Sequence, residues 1–174
     1  MSVLDGLEKK DIRNLLGKGW LTHDGLWFYH ACRELGMEKA NALNRAAIKS
    51  LAPVEVARMT ELLEIKGERF DTFDDLLTFI QAALEVTLPE SIFRTMHFHS
   101  PSKDVIQWEW EEGQCFAYKG IKQMGHIDAY HCGVIYRIQC WLDALAVGHD
   151  MDPPVTGCLM NETGECKGRI RVCL

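Results

Sequence analysis

Six of the seven cysteines fall in the second half of the 174-residue chain, among them Cys115, Cys132, Cys158 and Cys166. Thiolates are soft ligands, and four of them, or three with a histidine, build a tetrahedral zinc or iron–sulfur site. Zinc or iron is therefore the candidate cofactor, with His126 and His131 near enough in sequence to replace one sulfur. If strands meet at the turn between Cys158 and Cys166, those two residues stand nearly opposite, about 5 Å apart at Cβ. No pair has the compact C-x2-C spacing of a zinc ribbon. Two other states therefore compete: inert buried thiols, because free cysteine packs as a small hydrophobe, and redox-active or nucleophilic thiols. Cys32 sits on an apolar helical stripe and reads as core, while Cys140 and Cys173 have no partner by spacing.

Histidines and aromatics supply the other chemistry-bearing groups. His23 and Asp24 stand together where a helix is expected to start. There they form either a general base with an anionic neighbour or, more simply, a loop histidine beside an acid that complements the positive helix end. With His131 they are the candidate catalytic residues. His97 and His99 share one face of an expected strand; H-x-H spacing can chelate a metal, but it also suits the solvated face of an edge strand. Trp108, Trp110, Tyr130 and Tyr136 are the candidate ligand-binding residues, since aromatic rings line apolar cavities and tyrosine hydroxyls orient a guest. The same residues also suit a dry core.

Composition removes several classes of function. Residues 1–70 carry eleven basic and ten acidic side chains, and residues 71–174 carry eight and fifteen. That acidic second part is a poor match for phosphate backbones or anionic lipid, so neither nucleic acid nor membrane is expected as a partner. Neither a signal peptide nor an apolar run of about 20 residues is visible, and the expected location is the cytosol, where thiols stay reduced. The chain has no P-loop, G-x-G-x-x-G, G-x-S-x-G or C-x-x-C-H, which removes the usual signatures for ATP, dinucleotide, esterase and c-type haem chemistry.

The elements that position these residues follow from hydrophobic period. Residues 1–90 read as helical: one helix after Thr22–Gly25, a second over Glu38–Leu51, a third opened by Pro53, and the clearest from Phe73 to about Pro89. Residues 91–174 read as hairpin, helix, hairpin. Ile92–His99 and Val105–Glu111 alternate as paired strands, residues 126–147 return to helical period, and 155–160 with 167–173 flank Gly164 as a second hairpin. The expectation is a single α+β domain over 1–174, with helices packed against an antiparallel sheet.

Two sets of motifs resemble known families. His131-Cys132-Gly133, Gly157-Cys158 and Thr163-Gly164-Glu165-Cys166 resemble the 4-vinyl-reductase-type small-molecule-binding domain, whose architecture is haem–nitric-oxide-binding-like. Trp20 to Phe28, Gly36 to Ala40, Asn44 and Cys115 are similar to uncharacterised archaeal and bacterial cytosolic proteins grouped near the L-2-amino-thiazoline-4-carboxylate hydrolases. Leu159-Met160-Asn161-Glu162 stands where that family commonly has Cys-Pro-Pro-Asp. The resemblance implies a cytosolic binding or sensor module for a small apolar or planar molecule, with the four cysteines binding metal or marking the pocket. It implies as an alternative a hydrolase acting on a C–N or C–S bond of a heterocycle. A third possibility is a homodimeric scaffold using the aromatic hairpin.

Overall fold

The computed structural model describes residues 2–65 and 70–174. Helix α1 runs from Lys9 to Leu35, well ahead of the expected start at Thr22–Gly25. Its first turns carry no buried stripe; they are held by docking. The Asn14 side chain accepts the Glu90 N–H at 2.9 Å, and Arg13 donates to the Glu85 carbonyl at 3.2 Å. His23 and Asp24 are consequently mid-helix, and Asp24 complements no helix end. Gly36, at φ 81°, breaks the helix after one residue, and α2 follows from Met37 to Leu62.

Pro53 lies inside α2 rather than opening a separate helix. It faces solvent, where water can take the place of the lost backbone donor and the helix can curve. The buried face of α2 is Ala40, Asn41, Ile48, Ala52, Val56 and Met59, which turns Leu43 and Ala47 outward. Helix α3, Phe73–Thr87, matches its sequence pattern. The Thr72 hydroxyl accepts the Asp75 N–H at 3.1 Å, and Phe73, Leu76, Ile80, Ala83 and Leu84 are buried.

The second half keeps a helix between strands but redistributes its ends. Ile92 and Phe93 belong to a short helix α4, Glu90–Phe93, and not to a strand; β1 is Met96–Ser102 and β2 is Val105–Trp110. Next come α5 (Phe116–Gln123), a 3-10 turn at Ile127–Ala129, and α6 (Gly133–Ala144). The expected helix over 126–147 is thus shorter, with His131 and Cys132 ahead of it. Strand β3, Gly148–Asp152, precedes α7, Leu159–Thr163, and β4, Cys166–Cys173.

The expected strand at 155–160 is absent. Its place beside β4 is taken by β3, an edge strand with one buried residue, Met151, and hence no apolar alternation to announce it. Gly164 does take positive φ, at 82°, but as the cap that ends α7. The sheet is antiparallel throughout, in the order β1-β2-β4-β3. Its inner face presents Met96, Phe98, Ile106, Trp108, Trp110, Met151, Cys166, Ile170 and Val172 to the helices. The architecture is therefore α+β, seven α-helices with one four-stranded antiparallel sheet among the described residues. None of these helices is long and apolar enough to cross a membrane.

Candidate functional site

The pairing of β2 with β4 sets Trp110 opposite Cys166 and Trp108 opposite Gly168. Three helix starts reach the same place. Cys115 is the N-cap of α5, Cys132 of α6 and Cys158 of α7. Together with Cys166 they line a cavity of about 10 Å³, closed by Trp110, Tyr118, Tyr130, Ile135, Val155 and Met160. All four thiols are free and buried. The convergence expected of Cys115, Cys132, Cys158 and Cys166 is thus realised, although by three helix caps and a strand rather than across a hairpin.

Burial dominates the electrostatics of these thiols. It pushes Cys115 up to about 12, against the backbone N–H groups of Tyr118 and Ala117, which favour the thiolate. Cys132 is pushed up to about 11 by burial, opposed by the N–H groups of Ile135 and Val134. Burial also raises Cys158, opposed by Asn161 and Met160, and raises Cys166 with added repulsion from the other three sulfurs. The Trp108 ring N–H turns toward Cys166, yet Trp108 Nε1 and Trp110 Nε1 have no hydrogen-bond partner among the described residues.

Neutral, enclosed thiols are poor nucleophiles. Of the seven cysteines only Cys173 is exposed, so one thiol per chain is expected to react rapidly with iodoacetamide at pH 7.5, and the other six only on unfolding. Mass spectrometry of the native protein checks this; fast labelling of Cys132 or Cys158 would contradict the burial.

A second, larger cavity of about 190 Å³ lies next to the first, sharing Ala117, Tyr130, Val134 and Ile135 as a common wall. Trp20, Leu21, Gly25 and Phe28 of α1 form one side, Ile48 of α2 and Ile138 and Trp141 of α6 another, and Leu84 and Leu88 at the end of α3 line it together with Met96, Phe98, Phe116, Ile121 and Met124. Polar groups are few: Asp24, Asn44, Thr87, Tyr130 and Arg137. Arg137 is held by Glu55 at 3.1 Å and covers the Trp20 ring with its guanidinium 4.5 Å from the centroid. The Tyr130 hydroxyl accepts the Gly133 N–H at 2.9 Å.

The candidate residues divide accordingly. Asp24 borders the larger cavity, but its neighbour His23 lines an open groove on another side of α1. His131 is exposed, and its backbone N–H donates to the Asn41 side-chain oxygen at 3.1 Å. His23, Asp24 and His131 are joined by no hydrogen bond or ion pair among the described residues. Tyr130 lines both cavities and Trp110 the cysteine-lined one, whereas Trp108 is core and Tyr136 lies under Arg45, 3.6 Å from its ring centroid. His97 and His99 are exposed on β1, with His97 3.8 Å from Glu111. Cys140 lies beside the Tyr136 hydroxyl, one turn earlier on α6, as their four-residue spacing on a helix implies.

Sequence reasoning missed Trp20, Gly25, Ile48, Gly120, Arg137 and Glu55. The available signal was the presence of Gly25 and Gly120 within helices, where glycine costs about 1 kcal/mol relative to alanine. A family model described as a family of unknown function (DUF6125) matches residues 6–99, more than half of the chain, covering α1 to α4 and the start of β1. No curated protein and no solved structure matches the chain.

Proposed function

We propose that this protein, which belongs to the DUF6125 family, binds a small, planar, largely apolar molecule in the cavity between α1, α2, α5 and α6. The observation that carries this reading is the cavity of about 190 Å³, walled by aromatic and aliphatic side chains, with a few polar groups at its border. An apolar cavity of about 150 Å³ already takes a benzene-sized guest, so a one- or two-ring molecule fits the available space. Asp24, Asn44 and Arg137 supply the orienting polar contacts that such sites use. A binding or sensor role is also what the resemblance to the 4-vinyl-reductase-type domain implies, and the haem–nitric-oxide-binding-like architecture belongs to the same proposal.

Gly25 and Gly120 both border this cavity, and a Cβ at either position would meet nothing within 4 Å. Gly25→Leu and Gly120→Leu therefore place a side chain at the cavity edge while removing two helical glycines, each worth about 1 kcal/mol. The expected outcome is at least a tenfold loss of affinity, about 1.4 kcal/mol or more, for a fluorescent naphthalene probe at equal or higher melting temperature. Titration of the probe, read also through quenching of Trp20 and Trp141, measures it. Absence of saturable binding, or unchanged affinity in the double variant, would refute the reading.

A further inference from the structure

We propose that the four cysteines beside the ligand cavity form a binding site for one thiophilic divalent metal ion, zinc in particular, held by Cys115, Cys132, Cys158 and Cys166. The inference is separate from the ligand reading and stands on three features of the node. The first is composition: four thiol side chains from α5, α6, α7 and β4 border one cavity of about 10 Å³, close to the size of a single bound atom, and among the described residues no lysine, arginine or histidine lines it.

The second is the direction of the surrounding dipoles. Cys115, Cys132 and Cys158 stand at the N-termini of α5, α6 and α7, where the backbone N–H groups of the first turn lie near their sulfurs without a capping hydrogen bond. Such helix ends favour anionic sulfur, burial outweighs them at Cys115 and Cys132, and among the described residues no lysine or arginine lines the cavity to balance four thiolates. The third is the pair of indoles packed beside the cysteines. The indole N–H groups of Trp108, 0% exposed, and Trp110, 3% exposed, are buried without a partner. A buried donor left unpaired is destabilising. Trp110 lines the cavity and Trp108 turns toward Cys166, so metal-bound thiolates are acceptors of the kind that both donors lack.

As they stand, no group of three or more His, Cys, Asp or Glu side chains among the described residues is arranged to hold a metal ion. Loading therefore requires the thiols to turn inward. Zinc about 2.3 Å from each of four sulfurs would set them roughly 3.8 Å apart, about the contact distance of packed thiols. Each thiol gives its proton to solvent as its sulfur–metal bond forms, and no electrons are exchanged. One divalent ion with four thiolates leaves two negative charges, which the backbone and indole N–H groups face.

The test uses the full chain, reduced and treated with chelator, titrated with Co²⁺ alone. One equivalent is expected to bind with intense near-ultraviolet sulfur-to-cobalt bands, displaced by one equivalent of Zn²⁺. Cys132→Ser and Cys158→Ser are expected to lose the four-sulfur spectrum, while a His97→Ala, His99→Ala double variant keeps it. Trp110→Phe, which retains a ring but removes the N–H, is expected to bind Zn²⁺ about tenfold more weakly, the scale of a lost outer contact to a metal ligand. A folded wild-type protein that shows no sulfur-to-cobalt band overturns the assignment whether or not the cysteine variants fold. So does a band that disappears in the histidine variant.

Discussion

Replacing Gly168 with alanine is expected to destabilise the protein by about 3 kcal/mol, the upper end of what forcing a methyl group into a packed core usually costs. A Cβ at Gly168 would run into Cζ2 and Cη2 of Trp108, and would stand 2.9 Å from the carbonyl oxygen of Asp152. Neither neighbour can retreat easily. Trp108 is fully buried at the centre of the sheet's inner face, and Asp152 is paired with Arg169 in the adjoining ladder. At roughly 2–4 °C per kcal/mol for a chain of this length, the melting temperature is expected to fall by about 6–12 °C. Urea unfolding measures the loss directly. Trp108→Leu alone leaves a void, but combined with Gly168→Ala it is expected to recover part of the loss through the space it vacates. An unfolding midpoint indistinguishable from wild type in the single variant would show that the Trp108 ring has room to move. Because Trp108 also turns toward Cys166, the same variant is expected to weaken the cysteine node.

A loss of similar size is expected at Glu55. Its Oε1 accepts from Arg137 at 3.1 Å and its Oε2 accepts from the Trp141 ring N–H at 2.9 Å. The Glu55 and Arg137 side chains are only 13% and 16% exposed. Removing one member of a buried pair costs about 3–5 kcal/mol because the remaining charge is stranded; residual solvent access lowers the expectation for Glu55→Ala to about 2–3 kcal/mol. Arg137, Trp141 and Trp20 all border the ligand cavity. The alanine variant is therefore expected to bind the naphthalene probe more weakly as well as to melt earlier. Glu55→Gln keeps an acceptor for Trp141 and Arg137 but still leaves the Arg137 charge without its counter-ion, so its cost is expected to be smaller than that of alanine without vanishing. Equal losses for alanine and glutamine would show that charge, rather than the bridge between Arg137 and Trp141, is what Glu55 contributes.

Some of this architecture was legible along the chain. Helix α3 was readable because its Thr72 cap and its single apolar face are both local features. The alternation of Ile106, Trp108 and Trp110 marked β2 for the same reason. Helix α1 was legible only from Thr22 onward, since its first turns are fastened by Asn14 and Arg13 to a segment some seventy residues away. Strand β3 was invisible because an edge strand with one buried residue carries no period. The short helix α7 was not legible, its first two residues reading as the end of a strand and the others as a turn, because five residues are too few to distinguish the two repeats.

The candidate site divides in the same way. Residue type, with the spacing of Cys132, Cys158 and Cys166 and the resemblance that adds Cys115, singled out the four cysteines, because sulfur chemistry is a property of the side chain wherever it sits. It also set Cys32 apart as core, since the helical stripe that buries it is local. Only the tertiary structure decided that the four sulfurs meet at three helix starts and one strand. Their meeting depends on the register of β2 against β4 and on where α5, α6 and α7 begin, and these are set by packing across the whole molecule. The larger cavity was likewise beyond the sequence. A void is a property of surfaces brought together from α1, α2, α5, α6 and β1, and no single segment carries its outline.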